Sequence, residues 1–206
     1  YMFHGGTNFG FMNGANYDNG IMPTVTSYDY DSPLSEAGDI TDKYIEVQKV
    51  LSKYTNVEEG LLPEPIPKKA YGKVVLNEQA GLFDSLDSIS KPVYRMCPEP
   101  MEKLGQNYGF ILYRTRITGP RKENKLFIQD IHDRALIYIN GELKGIMMRD
   151  EREPLLIDIP KEGAQLDILV ENLGRINYGP YLKDYKGITQ GVRLGYQFLF
   201  DWTIYT

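Results

Sequence analysis

The sequence predicts a mainly β protein in which a jelly-roll or β-sandwich domain follows a single β/α unit. Three observations support this fold class. One amphipathic helix lies in the first third of the chain, a proline-rich stretch follows it, and eight short β-rich segments come after residue 70. The 16 tyrosines and 20 glycines among 206 residues are typical of aromatic, turn-rich β structure.

Composition excludes several classes of protein. Hydrophobic residues make up 42% of the chain and charged residues 25%, which is typical of globular proteins and not of disordered ones. No apolar run approaches the roughly 18 residues that a membrane-spanning helix needs. The net charge of −5 argues against nucleic acid as a partner. Cys97 is the single cysteine, and no Cys/His cluster has zinc spacing, so we expect no metal and no cofactor.

The first predicted unit, residues 1–56, begins with a strand candidate and a long loop. Residues 1–4 form the strand candidate, and residues 5–20 form the loop because their glycines and Asn-Gly pairs favour positive φ and Asx turns. A second extended piece is predicted over residues 25–31. Because the chain opens at Tyr1 inside a predicted strand, we expect it to be a piece of a longer protein.

A helix is predicted over residues 41–54, with Thr41 or Asp39 as its N-cap. Its apolar side chains recur at three- and four-residue spacing, at Tyr44, Val47, Val50, Leu51 and Tyr54. One β/α unit cannot bury its own apolar face, whereas eight of them close on one another in a β/α barrel. We therefore do not expect residues 1–56 to fold alone.

A linker is predicted over residues 57–70, where proline occupies every second position at Pro63, Pro65 and Pro67. Prolines at this spacing fix φ and remove backbone donors, so the segment is expected to be extended and semi-rigid. The charge pattern changes at the same place. Residues 1–70 carry 5 basic and 10 acidic side chains, and residues 71–206 carry 18 of each.

Residues 71–206 are predicted to form the all-β domain. Its strand candidates are residues 73–76, 109–117, 125–129, 134–140, 143–147, 155–159, 165–171 and 199–205. Asn140-Gly141 predicts a type I′ hairpin turn. We expect residues 73–76 to pair with residues 199–205, with about residues 105–195 inserted between them as a module.

The run of alternating tyrosine and aspartate at residues 28–31 is a candidate binding element. In a strand, Tyr28 and Tyr30 project to one face and both aspartates to the other. Tyrosine offers a flat ring to the apolar face of a sugar and a hydroxyl for hydrogen bonds. A half-buried strand with solvated aspartates accounts for the same pattern.

Two histidine motifs have alternative interpretations. His4 is either a ligand or base, or a histidine with ordinary hydrogen bonds near a strand end. His132-Asp133-Arg134 resembles part of a charge relay, but no serine or cysteine lies in an elbow-like turn nearby. Residues 5–10 lack the Gly-Lys-Ser/Thr ending of a phosphate-binding loop.

Several motifs closely resemble those of the family 35 glycoside hydrolases, the β-galactosidases. Residues 1–16 and 26–39 resemble the end of the family's catalytic barrel. The resemblance continues, in family order, through residues 108–115, 132–135, 169–179, 186–187 and 201–205. It implies the C-terminal part of a retaining exo-β-galactosidase: the last β/α unit of a (β/α)8 barrel, a linker, and a galactose-binding-like β domain.

The resemblance also implies where the catalytic residues lie. The family uses two glutamates, one as acid/base and one as nucleophile, and both precede the stretch that matches this chain. No motif here matches either of them, and Glu36 is not their counterpart. We therefore expect no catalytic residue in this chain and no hydrolysis by the chain alone.

Two sugar-binding positions carry over by resemblance. Tyr1 and Tyr30 are expected to face galactose in subsite −1, with Tyr30 hydrogen-bonded to the nucleophile. One departure is Met12, where some members carry tryptophan on the aglycone side. The implied partners are a galactoside and the rest of the barrel, with neither nucleic acid nor membrane, while homo-oligomerisation, compartment and linkage preference stay open.

Two alternatives remain for the β domain. It is either part of the hydrolase or a non-catalytic carbohydrate-binding or structural module. Within it, residues 172–179 form either a binding loop or an anchor between domains, in which Arg175 pairs with a carboxylate and Tyr178 is packed. The resemblance favours the anchor.

Overall fold

The computed structural model describes residues 2–24, 26–56, 62–151 and 153–206. The chain divides into two compact units. The first comprises residues 1–13 and 24–78, and the second comprises residues 14–23 and 79–206. Among the described residues, the helices are too short and too polar to span a membrane.

The first unit contains helix α1, Asp42–Leu51. It begins after Thr41, whose side chain accepts a hydrogen bond from the backbone N–H of Tyr44, which confirms the predicted cap. The strands predicted before it are wrong. Residues 2–4 and 26–31 join no sheet of the described chain, and only isolated bridges occur, between Thr7 and Ser27 and between Leu34 and Ile40.

Residues 62–78 contain neither helix nor strand and are exposed. The backbone N–H of Ile66 donates to Asp39 Oδ1 at 2.8 Å, and Lys68 forms an ion pair with the same carboxylate. The strand predicted over residues 73–76 is wrong, since Val74, Val75 and Leu76 are extended and exposed. The rest of the predicted linker, residues 57–61, lies outside the described residues.

The second unit contains thirteen described strands and helix α2, Leu82–Ile89. The strands are β1 Gly14–Tyr17, β2 Ile21–Pro23, β3 Val93–Arg95, β4 Phe110–Ile117, β5 Arg121–His132, β6 Arg134–Ile139, β7 Glu142–Met148, β8 Leu155–Ile159, β9 Ala164–Glu171, β10 Arg175–Ile176, β11 Gly187–Leu194, β12 Gln197–Phe198 and β13 Trp202–Tyr205.

These strands form three sheets. The largest has the order β3-β13-β4-β9-β6-β7, the second β12-β11-β5-β8, and the smallest β10-β1-β2. Buried apolar side chains from the first two sheets form one core cluster, which makes the unit an all-β sandwich. Tyr113, Ile137 and Trp202 enter it from the six-stranded sheet, and Leu126 and Val192 from the four-stranded one. Each buried aliphatic side chain contributes roughly 1.5–3 kcal/mol.

Helix α2 covers the second face of the six-stranded sheet. Leu86 packs there with Leu112, Leu169 and Tyr205, and the rings of Phe83 and Tyr138 meet edge to face at 4.9 Å. Phe83 and Leu86 of α2 therefore pack on a strand surface that would otherwise be exposed, while Leu82 and Ile89 of the same helix stay exposed.

Most of the predicted strands are confirmed as β4 to β9 and β13. The predicted turn is confirmed as well, since Asn140 and Gly141 have φ of 50° and 81° between β6 and β7. The predicted partner of the last strand is wrong, because β13 pairs with β3 and β4. The inserted module at about residues 105–195 and the domain boundaries stay predictions for the intact protein.

Candidate functional site

Two loops of the first unit are joined through their backbones. The N–H of Tyr28 donates to the carbonyl of Gly6 at 2.9 Å, and the N–H of Asn8 donates to the carbonyl of Thr26 at 2.8 Å. Glycine at residue 5 allows this approach, since a Cβ there would lie 1.4 Å from the carbonyl oxygen of Tyr28. The glycine-rich loop therefore supports the tyrosine segment directly.

Glu36 holds the same two loops together through its side chain. The hydroxyl of Thr7 donates to its Oε1 at 2.6 Å, and the hydroxyl of Ser27 donates to its Oε2 at 2.8 Å. These two bonds lower the pKa of the Glu36 carboxyl. A general acid needs the opposite shift, so the geometry suits a structural brace. His4 contacts the backbone carbonyl of Glu36 at 3.4 Å.

Tyr30 lies next to this braced loop and is 72% exposed. Its ring centroid is 4.7 Å from that of Tyr28, within the range of favourable aromatic pairs. The two rings meet because of a turn and not because of strand alternation, since Tyr30 and Asp31 have φ of 54° and 48°. Lys43 on α1 pairs with the Asp31 carboxylate at 2.7 Å. Tyr1, the second predicted sugar-binding residue, lies outside the described residues.

A network of buried charges occupies the second unit. Lys186 Nζ lies 2.8 Å from Asp133 Oδ2 and 2.7 Å from Asp184 Oδ2. Arg149 also bridges both carboxylates, at 2.8 Å to Asp133 and 2.9 Å to Asp184. His132 Nδ1 lies 3.1 Å from Asp184 Oδ1. Two cations thus face two carboxylates, with the histidine at the edge.

Both titratable neighbours at that edge have perturbed pKa values. Burial opposes ionisation of Asp184, but hydrogen bonds from His132, Arg149 and Lys186 outweigh it and lower the pKa of this carboxyl. Burial also opposes protonation of His132, but its hydrogen bond with Asp184 and the negative charges of Asp184 and Asp130 together outweigh burial and raise the pKa of the imidazole.

The arrangement of this network suits a structural role and not a charge relay. Each carboxylate is paired, and Asp133 Oδ2 also accepts the backbone N–H of Leu173 at 2.8 Å. No group of three or more His, Cys, Asp or Glu in the described ranges could hold a metal ion. Sequence reasoning found Asp133 but missed Arg149 and Asp184, which have no motif of their own and become neighbours only when distant strands meet.

For residues 172–179, the predicted ion pair of Arg175 is confirmed, whereas the predicted packing of Tyr178 is wrong. The guanidinium pairs with the carboxylate of Glu102 and donates from Nη2 to the carbonyl of Asn107 at 2.6 Å. Tyr178 is exposed and not packed, contrary to expectation. The partner of β10 is β1, in parallel register, so this loop holds residues 14–23 to the sandwich.

The β1–β2 hairpin has a second attachment through Tyr17. Its hydroxyl donates to Asp150 Oδ1 at 2.7 Å, and this hydrogen bond raises the pKa of the phenol. Arg149 lies over the ring at 4.9 Å, and the ring of Tyr181 lies 4.6 Å away. The buried charge network therefore borders the hairpin, a connection that the sequence did not predict.

Two family descriptions match two separate parts of the chain. Residues 98–206, more than half of the chain, match the family described as "Beta-galactosidase, first all-beta domain". Residues 1–54 match "Glycosyl hydrolases family 35". The chain belongs to the family 35 glycosyl hydrolases. Family 35 membership was the assignment implied by the sequence motifs, and it is confirmed.

Curated relatives named beta-galactosidase resemble this family 35 chain along its whole length. Those of Pongo abelii and Homo sapiens are 43% and 42% identical to it over 211 residues. The protein of Xanthomonas manihotis is 43% identical over 208 residues, or 98% of the chain. The chain spans about a third of the length of these relatives, between 31% and 34%.

Proposed function

We propose that this chain is the C-terminal part of a retaining exo-β-galactosidase that removes terminal β-D-galactosyl residues. In this proposal both catalytic glutamates belong to another part of the intact protein, and residues 1–56 complete its barrel. The observation that carries the proposal is that the chain is similar along its length to proteins named beta-galactosidase. This similarity includes both segments that match family descriptions, residues 1–54 and 98–206.

The role proposed for Tyr30 is contact with galactose in subsite −1 and a hydrogen bond to the nucleophile. Its support is that Tyr30 is exposed, that its ring packs against the ring of Tyr28, and that it lies next to a loop braced by Glu36. A donor that is already oriented stabilises charge without reorganisation in the transition state. We propose the same subsite for Tyr1.

The proposal also explains why the chain alone should be inactive. Retention requires two carboxyl groups about 5–5.5 Å apart that flank the glycosidic bond. Glu36, the carboxylate that joins the two loops of the first unit, has both oxygens bonded to hydroxyls and a lowered pKa. It is therefore unsuited to the acid/base role.

The test compares the intact protein with the 206-residue chain on a chromogenic β-galactoside. We expect turnover by the intact protein and none by the chain. In the intact protein, Tyr30→Phe should lower kcat at least tenfold, or roughly 1.4 kcal/mol of transition-state stabilisation. Tyr54→Phe, at another exposed tyrosine of the first unit, is the matched control. Hydrolysis by the chain, or unchanged kinetics for Tyr30→Phe, would contradict the respective part of the proposal.

A further inference from the structure

A basic cleft lies at the start of β5 and the β11–β12 turn, far in sequence from the tyrosine loop. Its volume is about 800 Å³. Its charged lining consists of Arg121, Lys122, Lys125 and Arg193 against a single carboxylate, Glu123. The 206-residue chain has a net charge of −5, so the positive charge of this cleft is opposite in sign to that of the chain. We call this surface the basic cleft.

Arg193 is the central feature of the basic cleft because its guanidinium has no anionic partner within the described chain. Its charged group lies 4.8 Å from the centre of the Phe127 ring. Its Nε is buried and, among the described residues and atoms, has no hydrogen-bond acceptor. A cation beside apolar surface without a counter-charge is unfavourable until an anion arrives, and a carboxylate that enters the cleft matches the fork of the guanidinium.

Aromatic rings limit where Arg193 can point. Phe127 and Phe198 are its cross-strand partners on β5 and β12. The ring of Phe198 lies over Gly191, where a Cβ would come within 3.1 Å of Phe198 Cε1. Arg193 is thus held beside apolar surface and kept available to a ligand, as in sites that recognise planar anions.

The other side of the basic cleft is held by hydrogen bonds. Arg121 donates from Nη2 to Gln197 Oε1 at 2.9 Å, which joins the start of β5 to β12. The N–H of Gly195 donates to the carbonyl of Lys125 at 2.7 Å, so the β11–β12 turn is fixed on β5. The cleft is therefore formed before any ligand binds, which reduces the entropy lost on binding.

The rim of the basic cleft carries groups that suit a sugar. Tyr196 is 99% exposed, and the side chains of Asn124 and Gln197 line the same cleft. Aromatic rings pack against the C–H faces of pyranoses, and amides exchange hydrogen bonds with hydroxyls. We propose that the basic cleft binds a carboxylated sugar, with the carboxylate on Arg193 and the ring against Tyr196.

The test is an NMR titration of the 15N-labelled chain with sodium glucuronate, with glucose as the neutral counterpart. Glucose and its acid differ from galactose at C4, so the proposed galactose pocket does not enter the comparison. We expect saturable shifts of the Gly191 and Gly195 amides with glucuronate, at least tenfold weaker binding of glucose, and weakening of glucuronate binding by added NaCl. Equal binding of the two sugars would overturn the proposal.

Two variants separate the roles of the anion and the sugar ring. Arg193→Gln should weaken glucuronate binding at least fivefold without lowering the melting temperature. Arg116→Gln, at the exposed position of β4, should leave glucuronate binding unchanged. Tyr196→Ala removes a fully exposed ring, so the variant should fold as the wild type does. It should bind glucuronate more weakly but bind sodium sulfate as tightly as the wild type. If Tyr196→Ala leaves glucuronate binding unchanged, the sugar assignment is wrong. If Arg193→Gln leaves it unchanged, the anion assignment is wrong.

Discussion

Replacing Lys186 with methionine tests the buried charge network most directly. The side chain is fully buried and lies within 2.8 Å of two carboxylates. Methionine keeps much of the volume but removes the charge, which leaves Asp133 and Asp184 with Arg149 as their main cation. The described network then changes from balanced charge to an excess of one negative charge.

The size of the effect follows from two opposed contributions. At an effective dielectric constant of about 20, unit charges 2.8 Å apart attract by roughly 6 kcal/mol. Burial of the ammonium group costs several kcal/mol, but removal of one partner leaves a buried charge uncompensated, and such changes typically destabilise by about 3–5 kcal/mol. We expect Lys186→Met to destabilise the β-sandwich unit by about that amount.

The measurement is urea unfolding followed by the fluorescence of Trp202, the only tryptophan, which is buried in the sandwich core. With m of about 2 kcal/mol/M, the midpoint should fall by about 1.5–2.5 M. The control is Lys183→Met, at an exposed lysine of the same loop, which should change the urea midpoint little. A loss below about 1 kcal/mol for Lys186→Met would refute the reasoning.

The variant should also change the pH dependence of stability. His132 has a raised pKa in the folded protein. Its contribution to the free energy of unfolding is therefore complete below its pKa in the unfolded chain, about 6.5, and is lost as the pH rises through its pKa in the folded protein. In Lys186→Met the extra negative charge strengthens this linkage, because protonated His132 restores the charge balance. The variant should therefore lose more stability between pH 5.5 and pH 8 than the wild type does.

The remaining predictions concern a carboxylate, a buried hydroxyl and a glycine. Asp184 has a lowered pKa in the folded protein, so its contribution to stability is present above its pKa in the unfolded chain, near 3.9, and is lost at lower pH. Asp184→Asn should therefore make the urea midpoint less sensitive to acid. A midpoint that falls with acid as it does in the wild type would contradict this. Tyr113→Phe should destabilise by about 1–3 kcal/mol in the same assay, because the hydroxyl accepts the N–H of Ile188 and donates to the Glu99 carbonyl; a neutral result would mean that water replaces it. Gly5→Ala in the intact protein should lower galactoside turnover at least tenfold, since its Cβ overlaps the Tyr28 carbonyl. Gly10→Ala meets no atom within 4 Å and carries only the backbone strain of its φ of 59°, about 1–2 kcal/mol, so it should lower turnover less.

The β-sandwich could be predicted because its strands carry local signals. The turn at Asn140-Gly141 is visible in two residues, and it is confirmed. Strand β11 was missed, since its two glycines weaken the pattern; one of them, Gly191, leaves space for the ring of Phe198. The segment at residues 73–76, expected to be a strand, has β-branched residues but pairs with no strand of the described chain.

The candidate site was predicted only in part. Resemblance to family 35 drew attention to Tyr30, and its exposed, ring-paired position is compatible with the proposed contact to sugar. The expected strand geometry was wrong, because a left-handed turn at Tyr30 and Asp31 brings the rings together. The role of Glu36 as a brace was invisible in the sequence, since its partners Thr7 and Ser27 lie 29 and 9 residues away.

The sequence by itself determined the elements whose causes are local: the capped helix, the hairpin turn, most of the β-rich strands and the family motifs. Only the tertiary structure decided which side chains share a site. Lys186 meets Asp133 across 53 residues, and Arg193 is left without an anionic partner in the described chain. The reason is physical: periodicity and turn chemistry act over a few residues, whereas charge pairing and desolvation depend on which strands become neighbours when the two sheets pack.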